Sequence, residues 1–353
     1  MNHAKYAPSS MARTVACPGW LKQCEGVPPE PPTEASKEGD LAHAVALSAA
    51  SRMALPASDA ITEEMRDGAA LWAATVHRQA LLEQRVAITR VHPTECWGTA
   101  DAQYYNVETN TLHVWDYKFG HKFVDEFENW QLLAYAVGVF DENQLSWDSP
   151  SIKIEMTIVQ PRFYNAPPVR TWKIQTPGLK HYAARMRHAV MDCESDNART
   201  VSGPHCTHCP ARVNCRTFAQ SVMQAVDFAG RPDPMVSTPS QVGAELLLVQ
   251  EFIKRLEARE TGLAALAESM IRNGQSVPNY ALESVPGRLA WIADVDTIEF
   301  LAATTGRSAL KPRELITPTQ AKKILDPALV DEYSTRSTGA MKLTRVKPER
   351  RFR

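Results

Sequence analysis

Asp101, Asp116 and Lys118 are the residues in this chain whose types and spacing most readily do chemistry. The first closes Gly98-Thr-Ala-Asp101, and the other two lie inside Thr111-Leu-His-Val-Trp-Asp-Tyr-Lys-Phe119. Along a strand, alternation puts Asp116 and Lys118 on one face with Leu112 and Val114 and turns Tyr117 to the other. A hairpin with the preceding strand brings Asp101 against Asp116, and two hard carboxylate ligands suit Mg²⁺ or Mn²⁺. An ammonium beside such an ion would stabilise the charge that builds during phosphodiester hydrolysis and help orient or deprotonate the attacking water. Read as an isolated tripeptide, Asp-x-Lys is also an ordinary exposed pair on a half-buried strand. The second carboxylate on a paired strand is what favours a site.

Thiols form the second group. In His205-Cys-Thr-His-Cys-Pro-Ala-Arg-Val-Asn-Cys215, Cys206, Cys209 and Cys215 are spaced Cys-x2-Cys-x5-Cys, tight enough for one metal centre. A closed thiolate site wants four ligands, and Cys17 in Ala16-Cys-Pro-Gly19 is the candidate fourth, with Cys24 its substitute. Zinc competes, because His205 or His208 would complete a Cys3His site without Cys17. Seven cysteines, unevenly spaced, fit metal ligation in a reducing compartment better than a disulfide framework, so Cys96 and Cys193 read as structural, as does Cys24 if Cys17 is the ligand.

Positioning these groups requires a folded protein, and the composition supplies one. The chain has 353 residues, 44% hydrophobic and 22% charged, which is enough for about two domains. Its 39 basic and 40 acidic residues create no global positive field, so any nucleic-acid binding must use local patches. No signal-peptide core or membrane-length apolar run is visible, and a cytoplasmic protein is expected.

Periodicity predicts a brief helix over Met11–Leu21, a linker at Val27–Pro32, and helices over Ser36–Met53 and Thr62–Gln84. Strands follow at Arg85–Val91, Cys96–Val107 and Thr111–Phe119, the last two joined as a hairpin through Glu108-Thr-Asn110. A helix over Glu126–Phe140, strands over Ile152–Val159 and Val169–Gln175, and a helix from Pro177 to Ser195 lead into the cysteine turn. The order predicts one mixed α/β domain over 1–225, a bend at Ala229–Pro239, and a mainly helical region over 238–353. That region holds a long helix at Gln241–Asn273, a hairpin near Pro286-Gly287 and short helices near Asp294–Ala303 and Pro318–Leu325. It ends in the basic tail Lys342–Arg353, which either contacts phosphates or is simply solvated.

Four segments in order resemble the PD-(D/E)XK nuclease superfamily, and within it the RecB-like exonucleases that include AddB-type and CRISPR-associated enzymes. Glu38-Gly-Asp-Leu-Ala-His43 resembles the Gly-x-x-x-His motif, Gly98-Thr-Ala-Asp101 the second, Asp116-Tyr-Lys118 the third, and Gln131-Leu-Leu-Ala-Tyr135 the Gln-x-x-x-Tyr motif. The layout resembles a branch found in bacteriophages and prophages. The resemblance implies a restriction-endonuclease-like α/β core, a mixed sheet flanked by helices. It implies that His43, Asp101 and Asp116 ligate the metal with the Tyr117 carbonyl, and that Lys118 is the catalytic lysine. Gln131 and Tyr135, four apart on one helix face, would contact DNA or buttress the site. Glu38 is a weaker addition to the metal shell, since it lies about 140° from His43 around a helix. In these relatives one cysteine before the core and three after it hold a 4Fe-4S cluster, which would fall here to Cys17, Cys206, Cys209 and Cys215.

The resulting expectation is a metal-dependent DNA exonuclease acting at DNA ends in phage recombination or replication, in the host cytoplasm. Expected partners are DNA, a phage annealing protein, helicase or single-strand-binding protein, and a second copy of the chain. The competing expectations are a DNA-binding or assembly module that keeps the nuclease fold, and a zinc-stabilised adaptor without an active site.

Overall fold

Thr111–Tyr117 forms strand β3, and both its faces are covered. Leu112 and Val114 enter one apolar cluster, while Trp115 and Tyr117 enter another. That is the pattern of a central strand between two helical layers. The computed structural model describes residues 4–27, 33–229 and 238–282. In it β3 is the middle of a five-stranded sheet in which β1 (Leu81–Ala87), β2 (Trp97–Asn106), β3, β4 (Lys153–Val159) and β5 (Val169–Gln175) lie side by side in chain order. All neighbours are antiparallel except β3 and β4. The single parallel pair needs a crossover, and the fifth α-helix described below supplies it.

The N-terminal segment makes two short helices, α1 (Met11–Ala16) and α2 (Trp20–Cys24), interrupted at Cys17-Pro-Gly19. Helices α3 (Glu34–Ser51) and α4 (Glu63–Thr75) follow, each started by a threonine hydroxyl. Thr33 accepts from the Ser36 N–H and Thr62 from the Met65 N–H. They bury Ala42, Val45, Met65 and Trp72 against Trp115 and Tyr117. The opposite sheet face is covered by α5 (Trp130–Glu142) and α6 (Thr176–Glu194), with Met11 and Trp20 of the first two helices in the same cluster. After α6 come two 3-10 turns, Pro204–His208 and Pro210–Val213, then α7 (Arg216–Ala229) and the long α8 (Pro239–Arg272). Ala258 of α8 packs with Cys206, Phe218 and Val222. The chain is thus an α/β protein with a mixed, helix-flanked sheet and a helical region after it.

Two expected boundaries move. The helix predicted to run to Gln84 stops at Thr75, and the strand predicted at Arg85–Val91 lies at Leu81–Ala87, on the sheet edge. Leu81-Leu-Glu-Gln-Arg85 favours helix by local propensity, but Leu82 pairs opposite Ala102 and Val86 opposite Gly98, and this pairing prevails. The helix expected from Glu126 starts at Trp130, because Asn129 caps it by accepting from the Gln131 and Leu132 N–H groups.

The chain divides into units Met1–Ala281 and Leu282–Arg353. The expected hairpin at Pro286-Gly287, the two short helices after it, the basic tail, and most of both predicted linkers lie outside the described residues. Among the described residues no helix is long and apolar enough to cross a membrane.

Candidate metal-dependent active site

Strict alternation fails at one point in β1 and β2, and the candidate site lies there. Val86 and Ala100 belong to the cluster beneath α5, whereas Leu82 and Ala102 belong to the cluster beneath α3 and α4. Each strand therefore changes face between these residues. The register passes from Leu82↔Ala102 to Gln84↔Ala100, and Glu83, left between them, has φ 48°. A left-handed glutamate is strained backbone of the kind that accumulates at functional sites. The kink brings Glu83 and Asp101 together with His43 of α3, so that one donor atom from each lies within 4.8 Å of the others.

Asp101 is fixed from behind. Its Oδ2 accepts a hydrogen bond from the Tyr117 backbone N–H at 2.7 Å, just past the end of the β2–β3 ladder at Ala102↔Trp115. Next to it Asp116 is 2% exposed, and Lys118 Nζ lies 3.0 Å from its Oδ1 and 2.9 Å from its Oδ2. Gln131, in the first turn of α5, donates from Nε2 to Asp116 Oδ1 at 2.9 Å and accepts from Lys118 Nζ at 3.4 Å. His43 Nδ1 is 3.8 Å from Asp101 Oδ2, and its ring meets the Tyr117 ring edge-on at 5.3 Å.

The electrostatics follow from this crowding. Burial, and then the neighbouring Asp116, hold the Asp101 carboxyl well above the usual carboxylate range. Burial pulls Lys118 down, but Asp116 and Asp101 outweigh it, so its pKa rises and it stays an ammonium. Burial and Lys118 lower His43, leaving the neutral imidazole that can ligate a metal. A divalent cation fits this donor set. One imidazole and two carboxylates converge, a third carboxylate adjoins them, and Asp101 is costly to ionise even with Lys118 nearby, so a further positive charge would favour its carboxylate.

The structure brings together His43, Asp101, Asp116, Lys118 and Gln131. Tyr135 sits behind them, 6% exposed and hydrogen-bonded to Gln131, which makes it a support for the site and not a surface contact. It also explains Gly98: a Cβ there would lie 3.0 Å from the Tyr135 hydroxyl and 2.9 Å from the Pro8 ring. The Tyr117 backbone hydrogen-bonds His43. Glu38 faces elsewhere, paired with Arg162 at 2.9 Å, which also holds Glu64 at 3.3 Å. Glu83 escaped the sequence reading, since its segment reads as helix and nothing local announces the positive φ. The loop carrying His121, Lys122 and Asp125 is pinned by Gln160, which donates to the Gly120 and Lys122 carbonyls at 2.8 and 2.7 Å.

Five of the thiols gather in a lobe where the first helices meet the segment after α6. Cys17 Sγ accepts from the Val201 N–H at 3.2 Å and Cys206 Sγ from the Gly203 N–H at 3.4 Å, while burial raises the Cys206 thiol. His205 hydrogen-bonds Cys17, and Cys215 packs against the cluster containing Cys206. Cys24 contacts Cys209; that hydrogen bond lowers the Cys24 thiol to about 7 and raises Cys209. Five thiols therefore share this region, while burial pushes both Cys96 and Cys193 up to about 12, as inert core thiols.

Residues 3–351 match the family described as Protein of unknown function (DUF2800). The match covers the kinked strands, the lysine and the cysteine lobe together, and the chain belongs to that family.

Proposed function

We propose that this protein is a metal-dependent DNA nuclease of the RecB-like PD-(D/E)XK kind, an exonuclease working at DNA ends in phage recombination or replication. One observation carries the reading. Lys118 Nζ is held between Asp116 and Gln131, with Asp101 fixed beside them on the adjacent strand. A merely structural ion pair would not need a second buried carboxylate at its side, nor a strained glutamate and a neutral histidine aimed at the same point.

His43, Glu83, Asp101 and Asp116 would hold Mg²⁺ or Mn²⁺, which when bound polarises the phosphate and acidifies water. Lys118 stabilises the negative charge that develops on the phosphoryl oxygens and orients the attacking water. Gln131 keeps Lys118 and Asp116 in register, and Tyr135 keeps Gln131 in place. As the resemblance implies, Cys17, Cys206, Cys209 and Cys215 would hold a 4Fe-4S cluster, with Cys24 as the substitute ligand and zinc as the alternative metal. Its role would be structural, fastening the first helices to the segment after α6.

The test is a Mn²⁺-dependent time course on end-labelled linear and closed circular DNA, comparing wild type with Asp116→Ala. Exonuclease action predicts shortening of the linear DNA only, abolished in the variant. Equal degradation by the variant refutes the assignment.

A further inference from the structure

The cysteine lobe has a charge balance unlike that of the rest of the chain. Its segments 4–24 and 197–226 contain Lys5, Arg13, Lys22, Arg199, Arg212 and Arg216 and none of the chain's 40 acidic residues, although α8 packs against them and Lys5 lies 4.0 Å from Glu194. In a protein of net charge −1, this concentrates positive charge in one place. Several of these groups are committed internally. Arg13 donates to the His208 carbonyl at 2.6 Å, Lys22 to the Ser195 and Asp196 carbonyls at 2.9 Å, and Arg212 is buried against the Cys209 carbonyl. Arg199 and Arg216 are exposed. Each precedes one of two threonines, Thr200 and Thr217, whose hydroxyls meet at 2.5 Å, so both flank one junction.

A contact links this lobe to the loop that follows the catalytic strand. Lys122 Nζ lies 3.4 Å from His208 Nε2, and both side chains are exposed. Lys122 is four residues beyond Lys118, on the loop pinned by Gln160, and His208 sits between Cys206 and Cys209. Two nitrogen groups from distant segments thus face one another at the seam between the active-site loop and the cysteine turn.

We propose that Lys122 and His208, continued by Arg199 and Arg216, form a track for the phosphate backbone of DNA, leading from the cysteine lobe to the active site. The inference rests on the nuclease reading for its direction toward the site, but the binding itself does not require cleavage. Phosphates are the ligand that fits, because Lys122, Arg199 and Arg216 are exposed cations and nothing about them would recognise a base. The cysteine lobe then presents His208 to the substrate besides bracing the fold.

The experiment measures binding of a fluorescein-labelled duplex oligodeoxynucleotide by anisotropy over a range of KCl, using the full chain with Asp116→Asn to block turnover. Lys122→Gln/Arg199→Gln/Arg216→Gln should weaken binding by about 10- to 100-fold near 0.1 M salt. The slope of log affinity against log salt should fall by about 0.9 per lost phosphate contact. Lys122→Arg should bind as the parent does, and so should Lys153→Gln, which removes an exposed charge outside the track. Should the triple variant fold poorly, Lys122→Gln alone reads the same slope by one contact. An unchanged slope and affinity, or an equal loss with Lys153→Gln, overturns the track. In the Asp116-intact chain, hydrolysis of bis(p-nitrophenyl) phosphate with Mn²⁺ should survive all three track substitutions. If wild type does not hydrolyse it or DNA, the nuclease reading fails while the binding comparison still decides this one.

Discussion

The Asp101 carboxylate takes the hydrogen bond of the Tyr117 backbone N–H at 2.7 Å, so one oxygen of a candidate metal ligand also completes the edge of the β2–β3 ladder. Position and charge at this residue can therefore be separated. Asp101→Asn keeps an acceptor for Tyr117 and should fold normally, with metal-dependent cleavage reduced at least about 10²-fold. Asp101→Ala orphans a part-buried N–H and should in addition lose about 1–3 kcal/mol in urea unfolding. Equal stability of the two variants would show that the bond to Tyr117 contributes nothing.

Asp101 also sets a pH dependence. Its folded pKa lies above the unfolded value because of burial and Asp116, so the folded chain binds that proton more tightly. For the metal-free protein, this group's contribution is greatest at low pH and declines as pH rises from about 4, the unfolded carboxylate value, through the raised folded pKa. Thermal melts in EDTA should show this decline, and Asp101→Asn should flatten it. Metal binding must expel the same proton, so Mn²⁺ affinity in titration calorimetry should rise by up to about tenfold per pH unit below that pKa.

Lys118 and Gln131 should differ in kind. Lys118→Ala removes the only ammonium hydrogen-bonded to Asp116 among the described residues, and cleavage should fall by about 10²–10³-fold. Gln131→Ala leaves both charged groups in place but unpositioned, and should lower kcat by about 10-fold with little change in Mn²⁺ affinity. Parallel loss of metal affinity in Gln131→Ala would instead make it part of the metal-holding set.

Glu83 is a test of the kinked strand. Glu83→Gln should weaken Mn²⁺ binding by about 10-fold or more, since one of three converging donors loses its charge. Glu83→Gly would relieve the backbone at φ 48° and should partly offset its own stability cost. A Glu83→Gln protein with wild-type Mn²⁺ affinity removes this residue from the site.

At the thiol lobe, anaerobically purified protein should carry about four iron atoms and absorb near 400 nm. Cys206→Ser should lose both features, and Cys17→Ser together with Cys24→Ser should do the same, whereas Cys96→Ser should leave them intact. A colourless protein with stoichiometric zinc would favour the alternative metal.

Much of the site was written locally. Asp116 and Lys118 share a face because a strand has a two-residue period. Gln131 and Tyr135 share one because a helix returns after four, and Asn129 starts that helix by capping it. The linear pattern also brought Asp101 within reach, since a short turn between two strands leaves little choice of partner. What the tertiary structure alone decided are features whose cause lies far along the chain. Residues 81–84 joined the strand because β2 was available to pair with them, and there Glu83 takes the left-handed region beside His43. Tyr135 became a support because Gly98 and Pro8 close over it, and Cys24 met Cys209 because α2 packs against the second 3-10 turn. Local periodicity specifies which way a side chain points on its own element. Which groups it meets depends on long-range packing, whose free energy comes from burying apolar surface and carries no short-range signature.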